Sequence, residues 1–206
     1  MNKEKSKAHK PALKKNVLQW AVILAVVGLL YITGMHSHVM AYMHRAIMFT
    51  GIYNAQTVNI ETADGPYLSG SDYDFTLATS DGGTTTLGDY EGKVLFINIW
   101  ASWCPPCIAE MPSIETLYQA ASGHDDIRFL MISVDQERGD AVEFMKNGEY
   151  TMPYQFPVTS LPGVLQSSSL PTTYVISKEG QVVYKKEGIA DYSRRAFREW
   201  LINDLP

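Results

Sequence analysis

The sequence predicts an α/β domain carried behind one apolar N-terminal helix. Three observations lead there. Val94-Leu-Phe-Ile-Asn-Ile-Trp100 is a dense apolar run bounded by Gly92-Lys93, the pattern of a strand buried on both faces. It runs into residues 105–121, where Ile108, Met111, Ile114, Leu117, Tyr118 and Ala121 recur near a helical period. Residues 17–34 carry no charge, and as a helix they rise about 27 Å against a hydrocarbon core of roughly 30 Å. A chain of 206 residues has room for one domain of about 130–150 residues and an appendage.

The chain opens on a basic arm, residues 1–15, with six lysines against Glu4 alone. The whole chain is nonetheless at −5, so the part beyond the arm is acidic, which argues against nucleic acid as a partner. Residues 16–34 read as a transmembrane anchor. Trp20 and Tyr31 sit near its two ends, where amphipathic rings favour the interface, and the lysines before it place the N-terminus in the cytoplasm. Everything after about residue 35 is then exported, giving a single-pass protein of the cytoplasmic membrane whose C-terminal domain faces the periplasm or cell exterior. A cleaved signal peptide is the alternative, but Thr33-Gly34-Met35 is a poor small-x-small site.

Residues 35–71 read as a juxtamembrane helix and a linker. His36, Met40, His44 and Met48 lie at steps of four and share a helix face. Thioether and imidazole suit copper, but a soft amphipathic face toward headgroups or a partner is the simpler reading, and no metal is assigned. Gly65-Pro66 and Ser69-Gly-Ser71 mark the linker.

The domain then spans residues 72–206. Tyr73–Leu77 alternates and Asp81-Gly82-Gly83 is a turn signal, which predicts a hairpin. Residues 94–100 form the central strand, residues 105–121 the helix after it, and residues 127–134 the next buried strand. Asp140 is placed to cap a short helix, 141–147, closed by Gly148. Residues 156–158 form a short strand. Residues 172–177 and 181–186 form a hairpin through Lys178-Glu-Gly180, and residues 193–202 the last helix, burying Phe197, Trp200 and Leu201.

Cys104 and Cys107 are the chain's two cysteines, and both fall where the central strand meets its helix. Unpaired amides and the dipole at a helix N-terminus favour thiolate over thiol. A second cysteine one turn on can attack any mixed disulfide formed by the first. Zinc wants about four ligands and finds no second pair. A structural disulfide across so short a loop constrains little of the unfolded chain. Redox chemistry is the reading that remains, with Cys104 the exposed nucleophile and Cys107 the resolving thiol. Pro105 and Pro106 lack N–H groups, so fewer donors face the thiolate.

Trp100-Ala-Ser-Trp-Cys-Pro-Pro-Cys107, with Glu110 and Pro112 continuing as C-x-x-E-x-P, resembles the active site of the thioredoxin superfamily, and more narrowly the membrane-anchored TlpA/ResA-like thiol-disulfide oxidoreductases. Leu170-Pro171-Thr-Thr-Tyr-Val-Ile176 resembles the family's cis-proline and following strand, and residues 74–93 its opening hairpin. The resemblance covers residues 72–204. It implies a thioredoxin-like fold with an N-terminal β-hairpin and a central helix-strand insertion at about 140–158. It also implies a cis bond at Pro171, backbone pairing of a substrate near Leu170, packing of Trp103 beside Cys104, and a proton-accepting role for Glu110; Pro112, inside the helix, would kink it without a chemical role. Asn98 departs from thioredoxin, which carries a buried acid there, and this shifts proton handling toward Glu110.

A tethered protein of this kind is expected to reduce selected disulfides, because an oxidising compartment already makes them. The resemblance implies a redox-active disulfide Cys104–Cys107 and no other cofactor. Its clients would be exported cysteine-containing proteins, such as apocytochrome c or copper-site cysteines of an oxidase, and a membrane electron donor would re-reduce it. The rivals are a peroxiredoxin-like peroxidase, whose cysteine context differs, and a tethered binding or metal-handling module on the same fold.

Overall fold

The computed structural model describes residues 12–32 and 65–205. The basic arm before residue 12 and the His/Met-rich segment lie outside the described residues. Residues 12–32 fall in one compact unit and the domain in a second.

The first unit is a helix, α1, Ala12–Ile32. Of its described side chains, Trp20, Leu24, Val26 and Ile32 are exposed. Among the described residues no helix is long and apolar enough to cross a membrane; the expected anchor at 16–34 includes positions whose side chains are not described.

The second unit is built on a seven-stranded sheet. Its elements are β1 (Thr76–Thr79), β2 (Thr84–Thr86), β3 (Val94–Trp100), α2 (Pro105–Ala121), β4 (Ile127–Ser133), α3 (Arg138–Asn147), β5 (Tyr154–Pro157), β6 (Thr172–Ile176), β7 (Val182–Glu187) and α4 (Arg195–Glu199), which runs on into a π turn at Trp200–Asp204. The strand order is β2-β1-β5-β4-β3-β6-β7. β3 and β4 pair in parallel, as do β4 and β5, and the other pairs are antiparallel.

β3 lies at the centre of the site and is buried along its whole length. Side chains alternate across a strand, so Val94, Phe96 and Trp100 enter the core on the α2 side while Leu95, Ile97 and Ile99 enter the opposite one. On the α2 side they meet Met111, Ile114 and Leu117 of α2 and Phe197 and Trp200 of the C-terminal helix. The opposite side is closed by Leu68, Phe75, Leu87 and Leu165 from turns. Each such buried side chain is worth about 1.5–3 kcal/mol. Asn98 falls on the α2 face in the same alternation, a polar residue fully buried at the middle of the sheet.

Several boundaries depart from expectation, the last helix among them, which starts at Arg195 and gives way to the π turn at Trp200–Asp204. α3 begins at Arg138 with Glu137 as its cap residue, and Asp140 lies in its first turn; an acid there favours the helix dipole as well as a cap would. β5 is shifted toward Tyr154 because Tyr154 and Gln155 pair with Met131 and Ile132. The expected linker is tied down from Pro66. Val182 N–H donates to Pro66 O and Leu68 N–H to Gly180 O, so residues 66–68 dock on the β6–β7 hairpin. The hairpin at β1–β2 and the α3–β5 insertion stand where expected.

Candidate active site

β3 ends at Trp100, and a tight turn delivers Cys104, whose N–H donates to Ala101 O at 3.2 Å. Cys104 is extended (φ −92°, ψ 105°) and caps α2. Pro105 and Pro106 occupy the first two helical positions, which tolerate proline because their N–H groups would have no intrahelical partner. The first N–H that can point back is that of Cys107, and it donates to Cys104 Sγ at 3.3 Å. A single backbone donor thus faces the sulfur that caps the helix.

The turn is braced from β4. The Asp135 carboxylate accepts from Ser102 N–H at 3.0 and 3.1 Å, from Ser102 Oγ at 2.7 Å and from Ser133 Oγ at 2.7 Å. Val134 N–H donates to Trp100 O at 2.9 Å. Ser102 is two residues before Cys104, so this brace sets the height of the cysteine above the sheet.

Cys104 and Cys107 are joined by a disulfide, with Cα atoms 5.2 Å apart. Cys104 is not the exposed thiol the sequence predicts. It is 4% exposed and Cys107 0%. Its side chain packs into the core on the α2 side and its sulfur is tied to Cys107; Trp103, Pro105, Pro106, Leu161 and Leu170 wall an open cleft of about 620 Å³, and Cys104 lines it. Cys107 does not reach that cleft. Trp103, beside Cys104, is 60% exposed, and no charged side chain lines the cleft. Leu170–Pro171 is cis, as expected; Leu170 lines the cleft while Pro171 is buried and accepts from Gly188 N–H at 2.8 Å.

Glu110 lies one turn past Cys107, spaced so that the two side chains neighbour each other on α2. It is fully buried, which excludes a solvated carboxylate. Asn98 Nδ2 donates to its Oε1 at 2.8 Å and Ala190 N–H to its Oε2 at 3.2 Å. Burial pushes its proton affinity up to about 8, opposed by those two hydrogen bonds. A carboxyl tuned there can take a proton from a thiol and return it near neutral pH. The Asn98 amide also donates to Thr173 Oγ1 at 2.9 Å.

Asn98 is therefore the direct partner of Glu110, and its signal was visible as the single polar residue in an apolar run. Thr173, Ala190, Asp135 and Ser102 also serve the site and carried no sequence signal. Pro112 lies inside α2 without breaking it. Among the described residues no group of three or more histidine, cysteine, aspartate or glutamate side chains is placed to hold a metal.

A thioredoxin-like sheet that brings a C-x-x-C pair to a helix N-terminus beside a cis X–Pro bond defines a domain of the thioredoxin superfamily. The chain belongs to the Redoxin family, which it matches over residues 69–196, and it is ResA-like within it. It is 34% identical over 113 residues to the thiol-disulfide oxidoreductase ResA of Geobacillus thermodenitrificans, across 53% of this chain and 63% of that one. It is 31% identical over 136 residues to the thiol-disulfide oxidoreductase ResA of Bacillus subtilis, across 64% and 72%. The chain thus spans less than two thirds of the length of the Geobacillus relative. A crystal structure of a putative thiol:disulfide interchange protein DsbE from Chlorobium tepidum superposes with a TM-score of 0.54 at 25% identity, covering 66% of this chain and 91% of that one.

Proposed function

We propose that the protein is a membrane-tethered thiol–disulfide oxidoreductase that reduces disulfides of exported proteins. The observation that carries the reading is the sulfur of Cys104, which caps α2, accepts the Cys107 N–H at 3.3 Å and lines an open apolar cleft. In the reduced protein the Cys104 thiolate attacks a client disulfide and expels one client sulfur as thiolate. Glu110 takes the proton of Cys107. The Cys107 thiolate then attacks Cys104, closing the ring and releasing the second client thiolate, which regains the proton held by Glu110. Two electrons pass from the cysteine pair to the client, and a membrane electron donor restores them.

Support for the tether comes from α1, with its exposed Trp20, Leu24 and Val26, and from the lysines that precede it. Clients in cytochrome c or oxidase copper-site maturation fit a protein that keeps selected cysteines reduced in an oxidising compartment.

The test is insulin-disulfide reduction by the dithiothreitol-reduced full chain in mild detergent. Turnover that disappears in Cys104→Ser, together with a trapped mixed disulfide in Cys107→Ala, is expected. Turnover that survives Cys104→Ser sinks the assignment. Carbonate extraction of membranes tests the tether, which predicts that the protein stays in the pellet.

A further inference from the structure

We infer that Tyr192, backed by Tyr184, is a positioning residue for Glu110, the two phenols completing a buried polar cluster that sets how readily this carboxyl gives up its proton. The inference rests on the thiol–disulfide function proposed for the cysteine pair. After β7 the chain crosses α2 as a strap, residues 188–192. It grips the helix at two points. Ala190 N–H donates to Glu110 Oε2 at 3.2 Å, and Tyr192 N–H donates at 3.2 Å to Ser113 Oγ, which itself donates to the Glu110 carbonyl at 2.8 Å. Both turns of α2 that frame Glu110 are thereby fixed to the strap that carries Tyr192.

The Tyr192 ring is fully buried, edge-on to Phe96 with centroids 5.3 Å apart and to Phe197 at 5.1 Å. Tyr184 packs edge-on to the same Phe197 at 5.3 Å. It pairs across strands with Val175, so it shares the α2 face of the sheet. Asn98 Oδ1 is buried here without a hydrogen-bond partner, and the hydroxyls of Tyr184 and Tyr192, which interact with each other and, for Tyr192, with Thr173, make no bond of full geometry. Each such atom costs about 1–3 kcal/mol, and a core that only needed packing would carry phenylalanine at both tyrosine positions. Retaining both hydroxyls beside one buried carboxyl points to an electrostatic task.

Around Glu110 stand Asn98 from β3, Thr173 through Asn98 from β6 and Ala190 from the strap; Tyr192 follows two residues on in the same strap, Tyr184 packs against the Phe197 ring that Tyr192 also meets, and the disulfide on the Glu110 helix carries no charge. No lysine, arginine or second carboxylate contributes to its titration. Burial first, with the Glu110 charge among the further causes, holds both phenols above their ordinary range. They are therefore neutral O–H dipoles whenever Glu110 ionises. Such dipoles lower the cost of charging a buried carboxyl, and removing them raises it.

The test reads Glu110 directly. The oxidised full chain, labelled with carbon-13 at glutamate side-chain carboxyls and held in mild detergent, is titrated by NMR; the Glu110 signal is the one missing in Glu110→Gln. Tyr192→Phe keeps the ring and removes the hydroxyl, and is expected to move the Glu110 midpoint up by about half a pH unit. Tyr184→Phe is expected to move it up by less. A role in packing alone lowers the melting temperature and leaves the midpoint in place, and that outcome overturns the inference, as does a downward shift. Should Tyr192→Phe not fold, Tyr184→Phe decides by the same criterion. The titration needs no turnover, so it stands or falls apart from the insulin assay.

Discussion

Replacing Glu110 by glutamine should make the pH-dependence of stability visible as a crossing of two curves. Glu110 is fully buried and its proton affinity stands at about 8, against 4.5 for a free glutamate. The folded state therefore favours the protonated form. The stability this group lends is whole below about pH 4.5 and is lost as pH rises through about 8, at about 1.4 kcal/mol per unit in that window and on the order of 5 kcal/mol in all. Glutamine cannot ionise, so its variant escapes that loss. It does forfeit one interaction, because Ala190 N–H donates to Glu110 Oε2 at 3.2 Å and an amide NH2 at that place offers no acceptor, a cost of about 1–2 kcal/mol at every pH. The native protein should be the more stable at pH 5 and the variant at pH 9. Urea unfolding of both oxidised full-length chains in mild detergent, at each unit from pH 5 to 9, measures the difference. Other titrating groups cancel in it. Parallel curves would refute the reasoning outright.

The brace under the cysteine turn gives a second expectation. Asp135→Ala removes the acceptor for Ser102 and Ser133 and should cost about 1–3 kcal/mol by urea unfolding; a change within error removes the brace from the account. Glu115 accepts from Thr151 N–H at 3.0 Å and Met152 N–H at 3.2 Å, tying α2 to the start of β5. Glu115→Ala should speed amide exchange at Thr151 and Met152 about tenfold, as expected for one bond to a charged acceptor. Burial works against ionisation of Glu115, but bonds from Gln119, Thr151 and Met152 outweigh it and hold the carboxyl below its ordinary range. The clamp therefore persists above the usual glutamate value and is lost as pH falls through the depressed one. In the core, Leu117→Ala should cost about 2–5 kcal/mol, since Leu117 is fully buried between α2 and the sheet; a cost under one would mean that the site collapses around the gap.

The elements that govern themselves were readable from residues alone. The helix at 105–121 matches its expected bounds because two prolines start it and a helical period carries it to Ala121. β3 was readable because burial on both faces leaves an unbroken apolar run. What depends on distant partners was not. The start of β5 is chosen by pairing with Met131 and Ile132, and residues 66–68 look like linker until the β6–β7 hairpin offers them partners. The same holds at the site. Cys104 and Cys107 announce themselves by type and spacing and Glu110 by the family pattern it continues, while the cleft that Cys104 lines draws Leu161 and Leu170 from far along the chain. Asn98 looked like a missing acid. In the fold it is the amide that holds one.

Two consecutive prolines at the mouth of α2 leave the capping sulfur with one amide for company. The residue between Pro105 and Cys107 is thus a dial that turns the readiness of the pair to accept electrons without touching either sulfur. Exchanging Pro106 for alanine would add an N–H to the rim of the helix, ease ionisation of the attacking thiol and tilt the equilibrium toward the reduced dithiol. Such a protein would hold its electrons more tightly and donate them less, so the missing N–H keeps the cysteine pair the readier electron donor.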